Sequence, residues 1–217
     1  MRGIVEGSRL RERAYEVIKE AILKLELAPG QPINEAELAG QLNVSRTPIR
    51  DALLQLEAEG FVVIQPFRGA FVAELTAQDT LDVFALRELL ECAAVSHAAQ
   101  RFDAQEIAAL QEWVLQMEQA LDQGRLSEYS TLSDQFHRRI IDRFGNRRVT
   151  HVLNNLSDHI KRLRTMALLV SPSREFLKDY RAILEGIQAH NPAAAEKAMK
   201  AHLNRVLRTL VSERAGS

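Results

Sequence analysis

Between Ser8 and Leu27 apolar residues recur at Leu10, Ala14, Val17, Ala21 and Leu25, a helical period with a single stripe to bury. Ala28-Pro29-Gly30 then marks a turn, and Pro32 keeps the helix from resuming at once. Asn34 is placed to cap a short second helix through Leu42, with Ala36, Leu38, Ala39 and Leu42 as its apolar contacts. A third helix begins where Ser45 can cap it, tolerates Pro48 in its first turn and stops at Gly60. On it Ile49, Ala52, Leu53 and Leu56 share one face. Two short runs rich in Val and Phe, Phe61 to Ile64 and Ala70 to Ala73, flank Gln65-Pro66-Phe67-Arg68-Gly69 and predict a β-hairpin with a glycine at its turn.

Beyond Glu74 the alternating pattern vanishes. Punctuation at Phe102-Asp103, Gly124, Gly145-Asn146, Ser171-Pro172 and Asn191-Pro192 divides the rest into six helical segments. Thr76 with Asp79, and Asp103 with Glu106, have the spacing of capping boxes. The expected fold is therefore mainly α: a winged helix-turn-helix of three helices plus a β-hairpin over residues 1–75, then an antiparallel all-α bundle over residues 76–217.

Composition agrees with a helical globular chain, since hydrophobic residues are 46% of the 217 but aromatics only 6%. The net charge of −1 excludes a generally basic nucleic-acid binder, so any DNA contact must come from a local patch. Cys92 is the only cysteine, which excludes an intramolecular disulfide. Met1 to Leu10 has no apolar signal region and no stretch reaches the length of a membrane span, so the expected location is the cytoplasm, with no membrane partner.

A helix-turn-helix needs one helix to brace a second whose first turns reach base edges in the major groove. Asn34 to Glu59 fits that requirement, and Arg46, Thr47 and Arg50 project beside the apolar face of the third helix. Arginine can pair with guanine O6 and N7 or clamp a phosphate, while the Ser45 and Thr47 hydroxyls and the free N–H groups of a helix start suit phosphate oxygens. Arg68 beside Gly69 places a positive charge at the hairpin tip. The competing structural reading is a solvated helix face, with Arg50 paired to the adjacent Asp51.

The run Asn43-Val44-Ser45-Arg46-Thr47-Pro48-Ile49-Arg50-Asp51-Ala52-Leu53, followed by Leu56-Glu57-Ala58-Glu59-Gly60-Phe61 and Arg68-Gly69-Ala70-Phe71-Val72, resembles the DNA-binding domain of GntR-family regulators. The resemblance implies DNA-contacting roles for Ser45, Arg46, Thr47, Arg50 and Gly69. It also implies that a contact made in some members by an Arg in the preceding helix is missing here, where Ala36 stands. Such a regulator acts as a homodimer whose recognition helices lie about 34 Å apart and read a two-fold double-stranded operator, more often as a repressor.

Residues 76–211 resemble the all-helical effector domain of the FadR-type branch, through Leu86-Arg87-Glu88-Leu89-Leu90-Glu91, Asp134-Gln135-Phe136-His137 and Ala198-Met199-Lys200-Ala201-His202-Leu203. That domain implies a pocket for a small carboxylate effector, often anchored by a divalent metal. Helical phase places His202, Tyr180, His137 with Ser133, and Arg87 on inward faces. The family's metal pattern has Asp or Asn four residues before His137, then His137, a further His on the next-to-last helix, and His202. Here Ser133 and Tyr180 stand at the first and third positions, leaving His137 and His202, with Asp134 one residue displaced. Two imidazoles, a hydroxyl and a phenol match Zn²⁺ or Ni²⁺ poorly, so the expected pocket requires no metal or other cofactor.

Two alternatives stand beside this reading. The inward groups can be satisfied core residues, with His137 and His202 bonded to Tyr180, Ser133 or water and Arg87 paired with Glu91. His137, His202 and Asp134 can also be read as a hydrolytic metal site, although no HExxH, phosphate loop or nucleophile elbow accompanies them. A helical interaction module without DNA leaves Ser45 to Asp51 and the wing unexplained.

Overall fold

The computed structural model describes residues 2–171 and 174–214; Met1 and Pro172, the latter half of one expected break, lie outside the described residues. The chain divides between Leu75 and Thr76 into two compact units. The first contains α1 (Arg2–Leu23), β1 (Pro32–Ile33), α2 (Glu35–Leu42), α3 (Arg46–Ala58), β2 (Val62–Gln65) and β3 (Gly69–Val72). The second contains α4 (Ala77–Ala99), α5 (Ala104–Asp122), α6 (Leu126–Phe144), α7 (Arg147–Asn155), α8 (Ser157–Val170), α9 (Arg174–Gln188) and α10 (Pro192–Arg214).

In the first unit α1 packs on α3 through Ala14, Ile18 and Ile22, all fully buried, against Ile49, Leu53 and Leu56. The buried stripe of α1 thus runs one position beyond the expected one, and Val17 is 40% exposed. The two candidate rows are adjacent, and the one with two isoleucines covers more apolar surface of α3. Leu25, the last residue of the expected stripe, lies past the helix end at φ 61°. Asn34 caps α2 as expected, its side chain accepting from the Ala36 and Glu37 N–H groups.

The wing is a three-stranded antiparallel sheet in the order β1-β3-β2, not a lone hairpin. Ile33 pairs with Ala70 and Pro32 with Phe71. Pro32 does stop the helix, but it also opens an edge strand, where its missing N–H costs nothing. Two residues are too few to show a period. The expected hairpin forms, with Val62 opposite Val72 and Gln65 opposite Gly69, each strand lying one residue nearer the turn than expected.

The second unit is all-helical. In it α10 packs on α4 and α9, α6 packs on α4, α5 and α8, and α9 also contacts α5. Both expected capping boxes form, Thr76 with Asp79 and Asp103 with Glu106. Among the described residues seven helices replace the six expected because residues 147–170 break at Leu156. No Gly or Pro marks that break; the Ser157 hydroxyl donates to the Asn154 carbonyl, a local bond that competes with the helix ladder. Gly186 lets α9 meet α10, since a Cβ there would lie 2.5 Å from the Ala195 backbone nitrogen.

Candidate functional site

The turn between α2 and α3 is tight because Asn43 takes the left-handed conformation, φ 54°, at the end of α2. Ser45 then has the extended backbone of an N-cap, but its hydroxyl makes no capping hydrogen bond, contrary to expectation. The reason lies three residues on. An N-cap hydroxyl ordinarily accepts from the third helical N–H, and that residue is Pro48, which has none. The Ser45 hydroxyl and the open N–H groups at the start of α3 are consequently left for another acceptor or donor, the arrangement that suits a phosphate.

The face of α3 formed by Pro48, Ile49, Ala52, Leu53 and Leu56 is buried, while Ser45, Arg46, Thr47 and Arg50 are exposed. Arg50 does not pair with Asp51. Its Nε donates to Glu35 Oε2 at 2.8 Å, because Glu35 begins the neighbouring helix while Asp51 projects elsewhere on α3. The arginine is 64% exposed, so this pair is weak and easily exchanged for another anion. On the wing, Arg68 stacks over the Phe71 ring at 5.5 Å, and Gly69 holds φ 97°.

The second unit collects five of the expected pocket residues and rejects one. Arg87 and Glu91 come from α4, Ser133 and His137 from α6, Tyr180 from α9 and His202 from α10. Arg87 Nε donates to Glu91 Oε1 at 2.7 Å, and the other Glu91 oxygen lies 2.6 Å from His137 Nδ1. His137 Nε2 is 3.3 Å from the Tyr180 hydroxyl, which is 2.6 Å from Ser133 Oγ. The His202 ring lies 5.4 Å from that of His137 and 4.7 Å from that of Tyr180, centre to centre. An ionised Glu91 only accepts, so Nδ1 of a neutral His137 carries the proton. The Tyr180 hydroxyl then donates to Nε2, and Ser133 donates to Tyr180.

Asp134 does not join them. It is ion-paired with Arg164 of α8, and the helix phase that turns Ser133 and His137 inward carries the intervening position aside. This removes the one carboxylate offered as a substitute metal ligand. Among the described residues no group of three or more His, Cys, Asp or Glu side chains converges to hold a metal ion. The donors at the four family positions, two imidazoles with a serine and a tyrosine already bonded to each other, do not fit Zn²⁺ or Ni²⁺.

Three participants escaped the sequence reading. Glu91, seen only as a partner for Arg87, bridges two elements, and Arg164 and Tyr129 line the same small cavity as Ser133, Tyr180 and His202. A signal for Arg164 was present, since it lies four residues from both Ile160 and Leu168, which are buried. The cavity is about 20 Å³, room for one water, and is also lined by Leu168, Phe176 and Val206. Arg164 also borders a second cavity of about 140 Å³ lined by Glu91, Asp134, His137 and Lys161. Buried polar atoms without a hydrogen-bond partner include Nη1 and Nη2 of Arg87, Nε of Arg164 and the Tyr129 hydroxyl.

Burial opposes the charge on Glu91, but Arg87 and His137 beside it hold its carboxyl well below the ordinary 4.5. Burial, reinforced by Arg164, pushes His137 well below 6.5 against the pull of Glu91. Burial also lowers His202, against Asp179. Both imidazoles are therefore neutral in the folded protein at neutral pH, whereas in the unfolded chain they protonate near 6.5. The unfolded state binds more protons as pH falls below that value, and Glu91 adds to the effect below 4.5. The stability these groups contribute is fully present above about pH 7 and is lost progressively on acidification. Thermal midpoints measured from about pH 8 to pH 4 are expected to fall from near 6.5 downward, and a profile flat to about pH 5 would contradict the assignment.

A winged helix-turn-helix with exposed arginines on its third helix, followed by an all-helical unit enclosing a polar pocket, defines a ligand-responsive, DNA-binding transcription regulator. Residues 10–72 match the bacterial regulatory proteins of the gntR family, and residues 82–205 match the FCD domain. The chain belongs to the GntR family, with an FCD effector domain. It is 27% identical over 198 residues to the transcriptional repressor RspR of Escherichia coli strain K12, covering 91% of this chain and 87% of RspR. It is 31% identical over 214 residues to a transcriptional regulator in an unstable DNA locus of Streptomyces ambofaciens, covering 97% and 89% of the two chains. The fold also resembles that of E. coli McbR/YncC, with a TM-score of 0.78 at 22% identity over 94% of this chain and 98% of that one. GntR regulators bind DNA operators and effector ligands, and some FCD domains hold metals. The chain is a regulator and not an enzyme, which sets aside the hydrolytic reading of His137, His202 and Asp134. No helix among the described residues is long and apolar enough to cross a membrane.

Proposed function

We propose that this regulator is a cytoplasmic homodimeric repressor that binds a two-fold operator and is released by a small organic carboxylate held without a metal. In this reading α3 enters the major groove, with Arg46 and Arg50 on bases or phosphates and Ser45 and Thr47 on the backbone. Arg68 and Gly69 bring the wing against the adjoining groove, and residues 76–217 supply both the dimer contact and the effector pocket. Repression is favoured by the name of the relative RspR.

The observation that carries the effector assignment is the Arg87 guanidinium. It is fully buried, its Nε is taken by Glu91, and both terminal nitrogens lack a hydrogen-bond partner. Buried donors ordinarily find acceptors, and a carboxylate offers two oxygens in the geometry a guanidinium matches. Through Glu91 that group is linked to the polar cluster of His137, Tyr180, Ser133 and His202, with Asp134 acting through Arg164 at the border of the cluster. The ligand favours one arrangement of the DNA-binding units and so changes operator affinity.

The test is calorimetric titration of chelator-treated protein with acetate, lactate, benzoate and succinate, repeated with Arg87→Met. Binding by wild type and its loss in Arg87→Met is the expected result, and binding by Arg87→Met equal to wild type would contradict the pocket assignment. For the metal, wild-type protein equilibrated with zinc and desalted is expected to retain well under one ion per chain. The double variant Ser133→Asp with Tyr180→His restores a carboxylate and an imidazole and is expected to retain about one. Stoichiometric zinc in the wild type would overturn the metal-free pocket.

A further inference from the structure

The wing tip carries a feature that no packing within the fold explains. Phe67 is exposed to 109% of its reference area, whereas the next most exposed large apolar side chain among the described residues, Leu89, is at 71%. Its backbone has φ 62°, in the left-handed region that an L-residue with a large side chain rarely adopts. The conformation is held rather than loose. Pro66 fixes the preceding φ, the Arg68 N–H donates to the Gln65 carbonyl at 3.1 Å, and Gln65 opposite Gly69 closes the loop. Arg68, next in the chain, turns back to stack on Phe71, leaving the Phe67 ring alone at the apex.

A strained backbone that presents an apolar ring to water is unfavourable twice over, and such costs persist at functional positions. We infer that Phe67 is an apolar wedge that enters a base step of the operator when the wing meets the minor groove. This rests on the proposed docking of the wing on DNA. Proteins that bind the minor groove insert Phe, Leu or Ile between base pairs, partly unstacking them, and flexible pyrimidine-purine steps yield most readily. Arg68, next in the chain and stacked on Phe71, supplies the wing with a cation for the adjoining phosphate backbone, which favours DNA over a protein partner at this tip.

The experiment uses the full chain and duplexes recovered by selection from a random pool, with 2-aminopurine placed in turn at each base step of the wing-facing segment. Wild-type protein is expected to raise the probe's emission at one step, and Phe67→Ala is expected to abolish that rise and weaken binding about tenfold or more. The salt dependence of binding should be unchanged by Phe67→Ala, because no charge is removed, whereas Arg68→Ala should lower the slope by about one per bound chain, about two for a dimer. The side chain is fully exposed, so Phe67→Ala should leave the thermal midpoint in place. Retained affinity with no emission change at any step would overturn the wedge while leaving the recognition helix intact. Failure of selection, or loss of the effect of Arg50→Ala as well, would overturn both the wedge and the docking on which it rests.

Discussion

Replacing Glu91 with alanine is expected to lower the thermal midpoint of the helical unit by roughly 10–15 °C, from a loss of about 3–5 kcal/mol. Arg87 has no exposed surface and Glu91 only 1%, so the variant leaves a guanidinium in the core without its counter-charge. It also removes the acceptor for His137 Nδ1, and with it a buried hydrogen bond between α4 and α6. The comparison that isolates the charge is Arg87→Met with Glu91→Leu, which removes both ions and should cost less than Glu91→Ala alone. Calorimetry of the three proteins measures the difference. If Glu91→Ala melted within about 2 °C of wild type, the buried triad would not be the bundle's electrostatic centre.

Arg50→Ala is expected to weaken binding to the selected operator by about tenfold to a hundredfold, with little change in thermal midpoint. The side chain is 64% exposed and its one partner, Glu35, lies at the surface, so little folding energy is at stake. In the complex the arginine exchanges this weak pair for a base edge or a phosphate. The two outcomes differ: a base contact relaxes preference at one position in each half-site, whereas a phosphate contact lowers affinity for all duplexes alike and reduces the salt slope by about one per bound chain. Anisotropy titrations on selected and randomised duplexes separate them. Unchanged affinity on both would remove Arg50 from the interface.

The architecture was legible where periodicity and caps agreed. Ile49, Ala52, Leu53 and Leu56 are buried as their spacing requires, and the Thr76 and Asp103 capping boxes form. The misses have local causes. A two-residue strand at Pro32 and Ile33 has no period to read, and the break at Leu156 is made by Ser157 and Asn154 rather than by Gly or Pro. In α1 two adjacent apolar rows compete, and only the partner surface of α3 decides between them.

The candidate site was legible in part for a different reason. Helical phase shows which side chains face inward, and it brought Arg87, Ser133, His137, Tyr180 and His202 together. Phase does not show which inward groups pair across helices. Asp134 goes to Arg164, and Glu91 serves Arg87 and His137 at once, both through contacts more than 29 residues apart in sequence on at least one side. The Ser45 hydroxyl is another such case: its freedom follows from Pro48, but only once the helix start is fixed at Arg46.

The most direct measurement is the affinity of the full chain for a selected two-fold duplex relative to a scrambled duplex of the same length, at fixed salt and with stoichiometry recorded. The predicted result is a preference of about a thousandfold or more, with two chains bound per duplex and a reduced ratio for Arg50→Ala. Equal affinity for the two duplexes, or a preference that Arg50→Ala leaves intact, would contradict the assignment of α3 as the element that reads the operator.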